Sequence, residues 1–186
     1  MVAIVAIALV AMRATQARND KKFEPLFSAP AFELIDQNGK PFGTADLRGK
    51  VWIADFIFIN CGGPCPIMTS KLADVQNKVS RMDVKLVSFS VDPERDTSRA
   101  LKEYAARFNA DESRWAFLTG DKTKIYQIAA DMKITAQPAT ADSPILHSEL
   151  FLLVDRKGNV VGIYHSNDEA DMSKLVADAA ELADRK

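Results

Sequence analysis

Two cysteines stand in this chain, and both fall in one short run, Asp55-Phe-Ile-Phe-Ile-Asn-Cys61-Gly-Gly-Pro-Cys65-Pro66-Ile-Met-Thr69. Residues 50–58 are almost wholly apolar and read as a central strand covered on both faces. Gly62 and Gly63 then permit a turn, and Pro64 and Pro66 suit a first helical turn, where a missing N–H is harmless. Met68, Leu72, Val75, Val79 and Met82 recur at intervals of four and three, one apolar stripe on a helix of about four turns. The thiols therefore lie where a strand passes into a helix, and the free N–H groups of that helix start favour the thiolate.

Several chemistries use such a pair. A structural disulfide over so short a loop constrains the unfolded chain by only about 2 kcal/mol, against roughly 4.7 for a 100-residue loop. Inert core thiols are a second reading. Redox dithiols and soft-metal sites both need adjacent, ionisable sulfurs. Three residues separate the cysteines, so the simple C-x-x-C redox motif is not matched.

The elements that must carry this pair follow along the chain. At 186 residues, 47% apolar and with net charge -1, the sequence has enough chain for one sizeable core and no basic excess for nucleic acid. Residues 1–12 are unbroken apolar sequence ended by Arg13. As a helix they would rise only about 18 Å against roughly 30 Å of bilayer hydrocarbon. We read residues 1–22 as an export signal or membrane anchor with a polar linker, the alternative being a buried helix, and residues 23–186 as the folded domain.

Ala31–Ile35 and Lys40–Phe42 form a hairpin across Asp36-Gln-Asn-Gly39. Val84–Val91 is a second parallel strand, ending at Asp92-Pro-Glu-Arg-Asp96. Three carboxylates in five residues could hold a hard cation. The plainer reading makes Asp96 or Thr97 the cap of the next helix, with Glu94 near its positive end. Leu101, Tyr104, Ala105 and Phe108 give that helix its inward face, and Trp115–Leu118 is a strand. Asp121 caps a third helix with Ile125, Ile128, Ala129 and Met132 inside. Residues 135–144 read as a surface loop. Glu149–Val154 and Val160–Tyr164 form a closing hairpin, and a last helix spans about 168–183 with Met172, Leu175, Val176 and Ala179 inward.

Three separated motifs carry a resemblance: D-F-I-F-I-N-C-G-G-P-C-P-I-M-T, V-S-F-S-V-D-P-E-R-D-T at 87–97 and L-H-S-E-L-F-L-L-V-D at 146–155. Together, in order and over about residues 28–170, they resemble the Sco/SenC family of copper-binding assembly factors for cytochrome c oxidase. The resemblance implies a thioredoxin-like α/β fold, a central mixed sheet flanked by helices, with an N-terminal β-hairpin. It also implies that the matching histidine, His147, is a copper ligand beside Cys61 and Cys65. His165, flanked by Ser166 and Asn167, matches nothing in the pattern and reads as solvated.

Two thiolates and an imidazole suit Cu(I), and Cu(II) when a weak ligand or water completes the site; zinc is the competitor. The function so implied is a metallochaperone, membrane-tethered on the periplasmic or equivalent oxidising side. It would serve the binuclear copper site of oxidase subunit II, with another copper chaperone or thiol reductase as a further partner, and needs no substrate turnover. The enzyme alternative is a thiol-disulfide oxidoreductase with Cys61 attacking and Cys65 resolving. A peroxiredoxin-like reading lacks its Thr, since Ile59-Asn60 precedes Cys61.

Overall fold

A computed structural model describes residues 23–140 and 143–185. The expected signal or anchor, residues 1–22, lies outside the described residues. The chain begins with β1 (Phe27–Ser28), β2 (Glu33–Asp36), β3 (Pro41–Gly43) and a 3₁₀ turn (Thr44–Leu47). Its centre alternates: β4 (Val51–Ile57), α1 (Pro64–Lys78), β5 (Val84–Ser90), α2 (Ser98–Arg107), β6 (Trp115–Thr119) and α3 (Lys122–Asp131). It closes with β7 (Ala136–Gln137), β8 (Leu146–His147), β9 (Leu150–Val154), β10 (Asn159–His165) and α4 (Glu169–Asp184).

Eight strands make one sheet in the order β1-β10-β9-β4-β5-β6-β2-β3. β4, β5 and β6 are parallel, β9 lies antiparallel to β4, and β9 and β10 form the expected closing hairpin. This is the thioredoxin-like arrangement that the pattern of strands and helices predicts, with the β2–β3 hairpin docked by β2 on β6. All seven residues of β4 are buried, Asp55 among them, as its otherwise apolar run requires of a strand covered on both faces. Val51, Ile53 and Ile57 point toward α1, α2 and α4, while Trp52, Ala54 and Phe56 point toward α3.

Two departures from the expected elements have physical causes. Met82 does not continue the α1 stripe; the helix ends at Lys78 and Met82 is 36% exposed. Arg114 reaches back from beyond α2 to the carbonyls of Val79 (2.9 Å) and Gln76, acceptors that a longer helix would have used itself, and to Val84 at the start of β5. The second departure is in the expected surface loop. Its flanks pair as a two-stranded ribbon, Ala136 with His147 and Gln137 with Leu146, so His147 sits within a strand rather than ahead of one.

Candidate metal centre

β4 leaves the sheet at Ile57, and residues 58–63 cross its end before α1 starts. Pro64 and Pro66 occupy the first turn of α1, where no helical hydrogen bond is lost. Cys61 lies on the crossing and is half-buried; Cys65 lies inside the first turn and is fully buried. Both thiols are free. A Cβ added at Gly62 would meet nothing within 4 Å, and one at Gly63 only the Cys61 sulfur at 3.9 Å, so the mouth of the site is open.

β8 brings His147 to the same place from 82 positions along the chain: its Nε2 stands 2.9 Å from Cys65 Sγ. The other ring nitrogen, Nδ1, is 3.1 Å from the Ser148 carbonyl oxygen. A carbonyl only accepts, so Nδ1 carries the proton, and Nε2 presents its lone pair to the Cys65 thiol. The Phe58 ring meets the imidazole edge to face, 5.7 Å between centroids at 85°, and fixes its plane.

Burial pushes the Cys65 thiol far above the usual thiol range, against a backbone hydrogen bond from Phe58; Cys61 and the charge of Asp55 push it further. The helix start was expected to favour the thiolate, and at Cys65 desolvation outweighs it. Burial likewise holds His147 below the usual imidazole value, opposed by its bond to Ser148 and the charge of Glu149. Cys65 and His147 are thus a neutral thiol–imidazole pair.

Polar side chains line the core beneath. Thr69 Oγ1 donates to the Cys65 carbonyl (2.9 Å), which commits its one proton, so the Tyr104 hydroxyl must donate to Thr69 (2.8 Å). Trp115 Nε1 donates to Ser88 Oγ (2.9 Å), and Ser88 donates to Asp55 Oδ1 at 2.5 Å. Asp55 is wholly buried; burial raises its carboxyl from 3.8 to about 7, against the Ser88 bond, and its Oδ2 has no hydrogen-bond partner among the described residues.

The carboxylates of 92–96 do not converge. Asp92 faces Arg95, Glu94 pairs with Lys122, and Asp96 turns inward. Of the two candidate caps, Thr97 fills the role, accepting from Ala100 N. Asp96 Oδ2 instead accepts from the Ile59 N–H (3.1 Å) and Ser90 Oγ (2.6 Å). His165 stands apart, exposed, with Nδ1 3.0 Å from Asp171.

The structure therefore sets Cys65 and His147 in contact with Cys61 alongside. Among the described residues no three His, Cys, Asp or Glu side chains are already grouped to hold a metal ion. The donor types fit a soft ion: two sulfurs and one imidazole lone pair at an open mouth. Sequence reasoning missed Phe58 and the Ser148 carbonyl, which orient the histidine, and the inward turn of Asp96; only the D-P-E-R-D motif pointed toward the last.

The SCO1/SenC family pattern matches residues 20–184. Among solved structures, a SCO1/SenC family lipoprotein from Bacillus anthracis superposes with a TM-score of 0.81 at 36% identity, over 87% of this chain and 98% of that one. BsSco, a member of the Sco family of cytochrome c oxidase assembly proteins with an identified disulfide switch, gives 0.78 at 33% identity over 88% and 98%. Arabidopsis thaliana ScoI, solved with copper bound, gives 0.71 at 30% identity over 82% and 98%.

Proposed function

The chain belongs to the SCO1/SenC family, and we propose from that premise that it is a copper metallochaperone for the binuclear copper site of cytochrome c oxidase. Cys61, Cys65 and His147 are its ligands. The observation that carries this reading is the 2.9 Å contact between Cys65 Sγ and a His147 nitrogen whose lone pair faces it. Support comes from the copper held by the Arabidopsis relative and from the oxidase-assembly role of BsSco's family.

Copper would take the place of the Cys65 proton between sulfur and imidazole, with the neighbouring Cys61 sulfur completing the set. Two thiolates favour Cu(I), and a water or weak ligand extends the site to Cu(II). An oxidising surrounding closes a 61–65 disulfide and shuts the site, so loading follows redox state. Residues 1–22 tether the domain at residues 23–186 to the membrane, on the periplasmic side, a reading supported by the apolar run at 1–12 and the lipoprotein relative. Oxidase subunit II receives the copper, and a second chaperone or a thiol reductase keeps the dithiol ready.

Metal analysis of protein purified under reducing conditions tests the reading. The expected result is one copper per wild-type monomer, a Cu(II)–thiolate absorption band on adding Cu(II), and a lower copper content with a weaker band in His147→Ala. Absence of copper from the wild type, or equal binding by the variant, overturns it.

A second reading rests on the unequal exposure of two neighbouring free thiols, Cys61 half-buried and Cys65 buried. That arrangement suits a thiol-disulfide oxidoreductase with Cys61 attacking and Cys65 resolving, acting on the oxidase subunit's cysteines. Disulfide reduction abolished by either Cys→Ser change yet indifferent to His147→Ala would select it.

A further inference from the structure

We infer that Asp96 is a positioning residue of this centre: its buried carboxylate ties the crossing after β4 to the loop after β5 and so holds Cys61 beside Cys65 and His147. The inference rests on the copper reading given above and adds a residue to it.

Asp96 is 1% exposed. A single oxygen, Oδ2, takes both the Ile59 N–H at 3.1 Å and the Ser90 hydroxyl at 2.6 Å. Ser90 Oγ in turn accepts from the Asp92 N–H at 3.1 Å, so the carboxylate is braced from its own loop. The other oxygen, Oδ1, is buried with no hydrogen-bond partner among the described residues. Such an atom lowers stability, and a residue retained only to support the fold would be better apolar. Helix capping does not explain the carboxylate, because Thr97 caps α2.

What the carboxylate does reach is the backbone two residues before Cys61. Apart from this bond the crossing is held mainly by packing, with Phe58, Ile59 and Cys61 lying against the core. Among the described residues Cys61 N bonds only the Phe58 carbonyl, at a long 3.4 Å, and a Cβ at Gly62 would face open space. Cys65 and His147 are carried by elements of their own, the first turn of α1 and the β7–β8 ribbon, besides their contacts with Phe58. Removing the Asp96 acceptor therefore loosens the crossing at Ile59, and Cys61, which has no element of its own, more than Cys65 or His147. Partners that orient a metal ligand are worth roughly 10- to 100-fold in metal affinity.

The test compares wild type, Asp96→Ala, Asp96→Asn and Gln37→Ala. Gln37 is a buried polar control at the far end of the sheet, bonded to Trp115 and Phe117 backbone. Two readouts are taken on reduced protein: Cu(I) affinity by chelator competition, and the alkylation rate of Cys61 without metal. Asp96→Ala should lose affinity by roughly 10- to 100-fold and alkylate faster at Cys61. Asp96→Asn keeps an oxygen that can accept both hydrogens and should recover most of both. Gln37→Ala should lower thermal stability while leaving both readouts near wild type. If Asp96→Ala does not fold, Ser90→Ala removes the brace and should move both readouts the same way by less.

Unchanged affinity and alkylation in Asp96→Ala overturn the inference, as do equal changes in Gln37→Ala. A wild type that binds no copper, while Asp96→Ala still alters Cys61 alkylation, overturns the copper reading and leaves the hold of Asp96 on the loop standing.

Discussion

Under α3 the sheet presents Trp52, Ala54, Phe56, Val87 and Phe89, all apolar and all buried; under α1, α2 and α4 the same two strands place Asp55, Ser88 and Ser90 among their apolar residues. Strand alternation alone makes this possible, since side chains of successive residues go to opposite faces. The apolar face is held by packing, with Phe56 and Phe89 stacked 4.9 Å apart and Phe32 edge-on to Phe89 at 5.0 Å. The mixed face carries an unpartnered carboxylate oxygen on each of Asp55 and Asp96. Buried groups of that kind lower stability. They occur on the face that carries Cys65.

That contrast can be broken or sharpened by substitution, beginning with the largest effect. Phe89→Ala on the apolar face should lower unfolding free energy by about 3–5 kcal/mol in a denaturant titration, while copper bound per folded molecule stays unchanged. A lost copper site there would mean that the two faces are not separable.

Next in size is the pH dependence contributed by Asp55. Its folded carboxyl titrates near 7 and its unfolded one near 3.8. Between those values the native state holds more protons than the unfolded state, so stability falls as pH rises through the window and levels off above it. Asp55→Asn removes this slope, and its stability relative to wild type should climb between about pH 4 and pH 7, by on the order of a few kcal/mol. Parallel stability curves for the two proteins would contradict the buried, unpaired state of Asp55.

Tyr104→Phe follows, removing the hydroxyl that donates to Thr69 under Cys65. It should cost about 1 kcal/mol. The smallest effect belongs to Thr97→Ala, which removes a surface cap and should cost about 0.5–1 kcal/mol with copper affinity untouched. Its neighbour Asp96 should behave in the opposite way, changing copper affinity more than a cap would. Equal copper phenotypes at 96 and 97 would erase the distinction between the inward carboxylate and the outward capping hydroxyl.

Periodicity made much of this architecture legible. The β4–α1 stretch, the inward faces of α2, α3 and α4, and both hairpins follow from repeats of two or of three and four that depend only on nearby residues. What stayed hidden depends on partners far along the chain. Arg114 ends α1 from 35 positions beyond Val79, and β7 and β8 are two residues each, too short for any repeat. Asp96 looked like a cap because local sequence offers a helix start and says nothing of Ile59, 37 positions earlier. The cysteine pair was legible as reactive chemistry from its spacing and setting, but His147 came only through resemblance, since nothing near it in sequence brings it to Cys65. The protonated state of Cys65 was misjudged because a helix dipole is visible in sequence and complete burial is not.

The most direct test of the central claim is X-ray absorption on reduced protein loaded with one equivalent of Cu(I). A single copper surrounded by two sulfurs and one imidazole nitrogen, the nitrogen vanishing in His147→Ala while the sulfurs remain, is the predicted result. A wild-type shell of sulfur alone would contradict it.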